Sequence, residues 1–305
     1  MNRHCNCTCA STAKTENAEA VEVPARVTIS HQTLDEERAL YGLQNAWVED
    51  VEFAGPADGE SALKECRDID VSRCQFDLRY PFWHTEGFSV SESALAETCR
   101  AALWYARDGR IDNTTMRGIK AVRECDNIEL SNCDVESTEF GWKCRGLRLS
   151  DTSITGEYPF LDSRDVTLKN CTLTGKYSFQ YVENLVIEDS VLDTKDAFWH
   201  AHNVCVRNSV IRGEYLGWYS DGLTLENCRI EGTQPLCYAK NLTLIDCEMV
   251  GCDLSFENAD VEATIRGHVD SIKNPRSGRI VADSVGEVIR DGAAHASNGE
   301  VCVRR

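Results

Sequence analysis

Tyr181, His200 and Tyr219 follow one another at intervals of 19 residues, and their side chains are an acid, a base and an acid in series. Held about 5 Å apart on adjacent strands, they could pass protons to and from a ligand lying across them. They belong to a longer column, Asp162, Tyr181, His200, Tyr219 and Tyr238. Tyr158, Tyr177, Asp196 and Tyr215 each stand four residues ahead of one of its members. Aromatic rings with polar tips bury area while keeping hydrogen bonds, which suits a sugar or a protein partner. These nine residues are the candidate ligand-binding set, with Tyr181, His200 and Tyr219 as the candidate catalytic groups.

The set narrows the reaction type. Glycoside hydrolysis takes two carboxyl groups about 5 to 9.5 Å apart. Asp162 and Asp196 lie roughly 16 Å apart by strand geometry, and Asp253 and Glu257 roughly 13 Å. Hydrolysis is therefore disfavoured. A lyase-like elimination on a uronic acid would use the phenols and imidazole as acid and base, with a cation to neutralise the carboxylate. Lys176 and Lys195 are the nearest cations, but Glu157 and Glu214 flank them in the same column. A plain ladder of opposite charges is the simpler reading. Whether the row is an enzyme's is left open by its residues.

One other segment has ligand chemistry. His4-Cys5-Asn6-Cys7-Thr8-Cys9 places three thiols beside an imidazole, and thiolates select soft metals. The spacing is not the C-x-x-C of structural zinc sites, so the expectation is a flexible leader with no metal, and no cofactor is called for.

What positions the column is a repeat. NIELSNC, GLRLSDT, DVTLKNC, NLVIEDS, NVCVRNS, GLTLENC and NLTLIDC begin at Asn127, Gly146, Asp165, Asn184, Asn203, Gly222 and Asn241, always 19 residues apart. Weaker copies begin at Asn45, Asp68, Gly87, Asp108 and Asp260. A unit this short is a coil that stacks on copies of itself. Its alternating apolar residues mark strands. The expectation is an all-β, single-stranded right-handed parallel β-helix, a solenoid of about twelve coils of 19 residues with three short strands each. Residues 1–26 form a Cys-containing tail, 27–290 the helix with its end caps, and 291–305 a C-terminal tail. Leu34 to Tyr41 reads as a short capping helix, and Lys273 to Gly278 as a loop that interrupts stacking.

Counting each anchor as zero, offsets one, three and eight are apolar throughout and form the core. Offset five is Asn132, Asp151, Asn170, Asp189, Asn208, Asn227 and Asp246, a turn ladder rather than a calcium row. Offset six holds Cys133, Thr152, Cys171, Ser190, Ser209, Cys228 and Cys247, and offset ten carries glycines. On the third strand, offsets thirteen, fifteen and seventeen, with Trp142, Leu161, Trp199, Trp218 and Phe256, read as interior. Offsets twelve, fourteen and sixteen then face outward, from Tyr158/Phe160/Asp162 to Gln234/Leu236/Tyr238, with Asp253/Ser255/Glu257 closing the run. So aromatic a face is not plain solvent surface. A terminal segment or dimer mate could cover it, a ligand could occupy it, or the assignment is inverted and the tryptophans face the ligand.

The composition sets the class. With 32 basic and 50 acidic residues the formal charge is −18, a field that repels phosphate backbones and argues against nucleic acid. No stretch approaches the roughly 18 apolar residues of a membrane span, and Met1 to Ala10 contain no apolar run of a signal peptide. Many of the sixteen cysteines fall at an inward position. A reducing cytoplasm is the expectation, since buried thiols behave as small hydrophobes.

A resemblance adds to this. Glu37-Arg38-Ala39-Leu40, Glu60-Ser61-Ala62-Leu63-Lys64, Tyr80-Pro81-Phe82-Trp83-His84 and Leu103-Trp104-Tyr105 mark the upstream coils. Lys195-Asp196-Ala197-Phe198-Trp199, Gly213-Glu214-Tyr215-Leu216-Gly217-Trp218, Gln234-Pro235-Leu236-Cys237-Tyr238, Asn274-Pro275 and Ser277-Gly278 follow. Together they resemble an uncharacterised bacterial domain-of-unknown-function family with pectin-lyase-like β-helix architecture, over roughly residues 36 to 290. The resemblance implies the fold and brings no activity or catalytic residue with it.

Two functions compete. One is carbohydrate recognition or processing, with a carbohydrate or other small molecule on the aromatic face. The other is a non-catalytic scaffold that uses the same face for a protein partner or a second copy of itself.

Overall fold

In a computed structural model, residues 25–55, 60–292 and 295–304 are described, so the Cys-containing leader lies outside the described residues. Alternating apolar residues force the chain into strands, and strands of one length must stack in register to bury them. Val166, Leu185, Val204 and Leu223 pair in succession down the first side. Val135, Ile154, Leu173, Leu192, Ile211, Ile230 and Met249 do so down the second. All are buried, and every pairing is parallel. The result is a parallel β-helix of about fourteen turns, without an α-helix among the described residues.

The turns explain the polar columns. Offset five is left-handed in every copy, from φ 49° at Asn208 to 53° at Asn132, a conformation Asn and Asp tolerate. Its side chains bond from coil to coil, as in Asn227 Nδ2 to Asn208 Oδ1 at 3.0 Å. At offset six the bend turns backbone N–H groups inward, and side chains satisfy them. Ser190 Oγ accepts from Cys171 N–H at 3.0 Å and donates to Glu188 O at 2.7 Å. Ser209 does the same for Ser190 and Arg207. Hydroxyl and thiol alike fit this slot, which is why cysteine recurs there. All thirteen described cysteines are unpaired. Burial pushes the thiols of Cys66, Cys237 and Cys252 up to about 12, which holds those three protonated. At offset ten the coils nearly touch. A Cβ on Gly175 would lie 1.8 Å from the Gly156 carbonyl oxygen.

The ends extend further than the repeat suggests. Val27–Leu34 already pairs with residues 46–53 of the next coil. Leu34 ends that strand and residues 36–41 are a bend and turns, not a helix. Arg38 N–H bonds Glu60 O and Leu40 N–H bonds Ala62 O, so this segment is the third side of the first coil. Asn274 to Arg276 is only a short connection. Stacking runs through it, because Ser277 pairs with Asp260 and eleven residue pairs, with one register shift between Ile265 and His268, carry the ladder on to Ile289. Glu300–Val303, in the segment expected as a tail, pairs with Arg279 to Ala282.

The third side departs most from expectation. Three short strands per coil occur only upstream, where Phe82–Trp83, Leu103–Trp104 and Val122–Arg123 form their own sheet. In later coils the side is a series of turns. Offsets twelve, fourteen and sixteen are left-handed, as at Tyr177 (61°), Phe179 (59°) and Tyr181 (57°). Side chains in this backbone do not alternate in and out. Phe160, Phe179, Phe198 and Leu236 at offset fourteen, expected outside, are fully buried. The rings of Phe160, Phe179 and Phe198 stack at 4.9 and 5.2 Å. Trp142, Trp199 and Trp218, expected inside, are half-exposed. Each indole spans the outer surface of the arc and donates its N–H to the next coil's offset-twelve carbonyl, at 2.6, 2.7 and 2.8 Å. Phe256 is buried, but a one-residue shift puts it at offset fourteen: its N–H bonds Pro235 O, and Leu254, Phe256 and Asn258 carry the positive φ. The run therefore closes on Leu254, Phe256 and Asn258, not on Asp253, Ser255 and Glu257.

Candidate functional site

The buried phenylalanine column splits the expected aromatic stripe into two edges. One carries Tyr158, Tyr177, Asp196 and Tyr215 at offset twelve. The other carries Asp162, Tyr181, His200, Tyr219 and Tyr238 at offset sixteen. The two meet across the tryptophans: Trp218 packs edge-on against both Tyr215 and Tyr238 at 5.4 Å.

On the offset-sixteen edge the rings form one stack. Centroids are 5.0 Å apart from Tyr181 to His200, 5.1 Å to Tyr219 and 4.8 Å to Tyr238, with planes within 11°. Tyr181 and Tyr219 are 54% and 46% exposed, so their hydroxyl-bearing edges reach solvent. Ring faces inside the stack are covered by their neighbours. No hydrogen bond joins two members among the described residues, since parallel rings in register hold their polar atoms a full ring spacing apart. Direct proton transfer takes a contact of about 2.6–3.2 Å, so these groups exchange protons only through a ligand or water. Burial and the nearby Glu257 carboxylate raise the Tyr238 pKa, which keeps that phenol a donor. Asp162 is exposed at the start of the row.

The offset-twelve edge is more enclosed. Tyr158 and Tyr177 stack at 4.6 Å. Lys176 bonds Glu157 at 3.0 Å and Lys195 bonds Glu214 at 2.8 Å, the expected charge ladder, so neither ammonium is held for a ligand. Asp196 is only 5% exposed. Burial raises its pKa, against the opposing pull of Lys195. A carboxyl whose folded pKa lies above its unfolded value stabilises the fold below the unfolded pKa and loses that contribution as pH rises through the folded one. At neutral pH the ionised carboxylate is thus a net cost. Asp196→Asn, which also suits the 56° φ at this position, is expected to raise the thermal midpoint at pH 7. The gain should shrink towards zero near pH 4; a midpoint lowered equally at both pH values would contradict it.

A second cluster, which the repeat count did not single out, lies at the other end. Trp83, His84, Trp104 and Tyr105 form a block of four rings, with Trp83–Trp104 at 5.5 Å and His84–Tyr105 at 5.0 Å. Trp83-His84 and Trp104-Tyr105 are the same dipeptides as Trp199-His200 and Trp218-Tyr219. That recurrence was the available signal, masked by a 21-residue coil. Tyr41 Oη donates to Glu65 Oε2 at 2.7 Å, and a hydrogen bond with Glu124 raises the Tyr105 pKa. No group of three His, Cys, Asp or Glu side chains among the described residues is arranged to hold a metal.

A family model described as a protein of unknown function (DUF3737) matches residues 27–302. No curated protein matches the chain. Among solved structures it is similar to the A-module of a mannuronan C-5 epimerase from Azotobacter vinelandii. Identity is 10%, with 90% of this chain and 91% of that one covered, at a TM-score of 0.30. A tailspike protein mutant of E. coli bacteriophage HK620 in complex with a hexasaccharide matches at 10% identity, covering 85% and 59%, with a TM-score of 0.40. A hyperthermoactive exopolygalacturonase from Thermotoga maritima matches at 9% identity, covering 89% and 82%, with a TM-score of 0.33.

Proposed function

The chain belongs to the DUF3737 family of proteins of unknown function, and from its geometry we propose that it recognises carbohydrate along the offset-sixteen edge. The observation that carries this reading is the stacked row of Tyr181, His200, Tyr219 and Tyr238, with Tyr181 and Tyr219 about half exposed. Because the ring faces cover one another, the row offers solvent a line of hydroxyl and imidazole edges. It repeats at the coil spacing of about 4.8 Å. An extended chain of hydroxyl-rich units lying along the helix axis meets one hydrogen-bonding group per coil. Trp199 and Trp218 supply apolar edge beside them. Stacking also fixes each ring before the ligand arrives, so little side-chain entropy is lost on binding. Binding is the function proposed; the row holds no two groups in direct proton-transfer contact.

A glycan array followed by calorimetry on the best hit tests it. Tyr219→Ala, which opens a gap in the middle of the row, is expected to weaken binding about tenfold, corresponding to about 1.4 kcal/mol. Tyr219→Phe keeps the stack, removes only the hydroxyl and should lose less. No binding to any neutral or acidic glycan would overturn the proposal. So would a dimer, seen by light scattering, that dissociates on Tyr181→Asp or Tyr219→Asp, because the same edge would then be a self-association surface.

A further inference from the structure

We propose that the upstream ring block forms a second, separate site, for a small polyhydroxylated carboxylate of about monosaccharide size. In the first four coils, whose lengths vary, the positions that bond to the next coil as offset sixteen does are Gly42, Glu65, His84 and Tyr105. Gly42 is left-handed at φ 69°, and nothing lies within 4 Å of where its Cβ would be. The row therefore ends without a side chain, and the surface opens into a concavity of about 570 Å³. That volume lies in the range of small-molecule sites, about 300–1,000 Å³.

Its wall is rigid and its polar groups are already oriented. His84 stacks on Tyr105, and Trp83 and Trp104 stack behind them at 5.9 and 5.3 Å. Glu65 is held by the Tyr41 hydroxyl. Two guanidiniums, Arg67 and Arg107, line the concavity two coils apart. Each has an acidic neighbour, Glu86 at 3.7 Å and Asp126 at 3.8 Å, but both separations exceed hydrogen-bonding distance. Neither guanidinium makes a side-chain hydrogen bond among the described residues, and both are more than 60% exposed. Their forked donors match a carboxylate. Glu65 and Glu86, acceptors when ionised, match hydroxyl donors.

The pairing of the two features selects the ligand. A neutral polyol leaves the guanidiniums unused, and a bare anion meets the two carboxylates with nothing to donate to them. A polyanion would also approach against the chain's −18 charge. One carboxylate on a hydroxyl-bearing body uses both halves of the site. This inference stands on residues that the offset-sixteen proposal does not use.

Titration calorimetry with D-gluconate (open chain) and D-glucuronate (ring) tests it, with glucose, acetate and inorganic phosphate as the separate halves of the chemistry. At least one of the two sugar acids is expected to bind at least tenfold more tightly than any half-ligand. The Arg67→Ala/Arg107→Ala variant should lose at least tenfold. Arg67→Lys/Arg107→Lys, which keeps the charge but not the fork, should fall between. Tyr219→Ala should bind as the unaltered chain does, which separates this site from the distal row. Failure of both sugar acids to bind, equal binding by phosphate, or full binding by the double alanine variant would each overturn the assignment.

Discussion

Phe179→Ala is expected to lower the free energy of unfolding by about 3–5 kcal/mol, the usual cost of emptying a fully buried phenylalanine site. The ring is fully buried and has stacking partners on both sides, Phe160 at 4.9 Å and Phe198 at 5.2 Å. Its N–H bonds Pro159 O of the coil before, and the adjoining Ser178 O accepts from Phe198 N–H of the coil after, so the walls have little room to collapse into the cavity. In a stacked fold each coil contacts only its neighbours. The damage should thus be local as well as large. Amide exchange should quicken first in the coils carrying Phe160 and Phe198, ahead of the rod's ends. Thermal and urea unfolding with residue-resolved exchange would check both parts. A loss below about 1 kcal/mol, well under the cavity range, would mean the third side is not the packed core described above.

The second large effect concerns a pair. Gly109 occupies offset one of its coil, a position that is Ile, Leu or Val in most others, and it pairs directly with Phe88. A Cβ at Gly109 would lie 2.3 Å from Phe88 Cζ, so the phenylalanine ring fills the volume that the glycine vacates. Phe88→Ala should cost about 3–5 kcal/mol. Gly109→Val should cost about 1–3 kcal/mol by overpacking. Combining Phe88→Val with Gly109→Val restores two ordinary core residues. The φ at Gly109 is not left-handed, so a β-branched residue is compatible there. The double variant should be more stable than the sum of the two single valine changes by about 0.5–3 kcal/mol, the range of coupling between residues in contact. Strict additivity in chemical denaturation would show that the two positions do not share one space.

The repeat made the first two sides legible residue by residue. Leu185, Val204 and Leu223 stack as their 19-residue spacing requires, and the Asn/Asp column is left-handed throughout. Both follow from local rules, strand alternation and turn chemistry. The third side was misread because alternation was extended to a segment without strand backbone. Phe198 and Trp199 exchanged places relative to that expectation, the first buried and the second lying outside. Most of its left-handed positions between 158 and 238 are Tyr, Phe or His, residues that do not announce positive φ; cross-coil hydrogen bonds impose the conformation. The offset-sixteen column of Tyr181, His200 and Tyr219 survived the error because it lies at the edge of the arc, where outward exposure does not depend on alternation. The upstream ring block was hidden for a different reason. Its coil spacing is irregular, and a column search at a fixed period passes over Trp83-His84 and Trp104-Tyr105.

The constant register between residues 126 and 240 also fixes how the molecule can change in length. Joining Arg164 directly to Asn184 would excise one complete unit and still set Phe160 below Phe198, hydroxyl slot below hydroxyl slot and bend below bend. Losing a single residue instead would rotate an entire strand's apolar side chains into water. Growth and shrinkage of this body are therefore quantised, in increments of about 4.8 Å, and the span of its offset-sixteen edge can be adjusted only in whole steps.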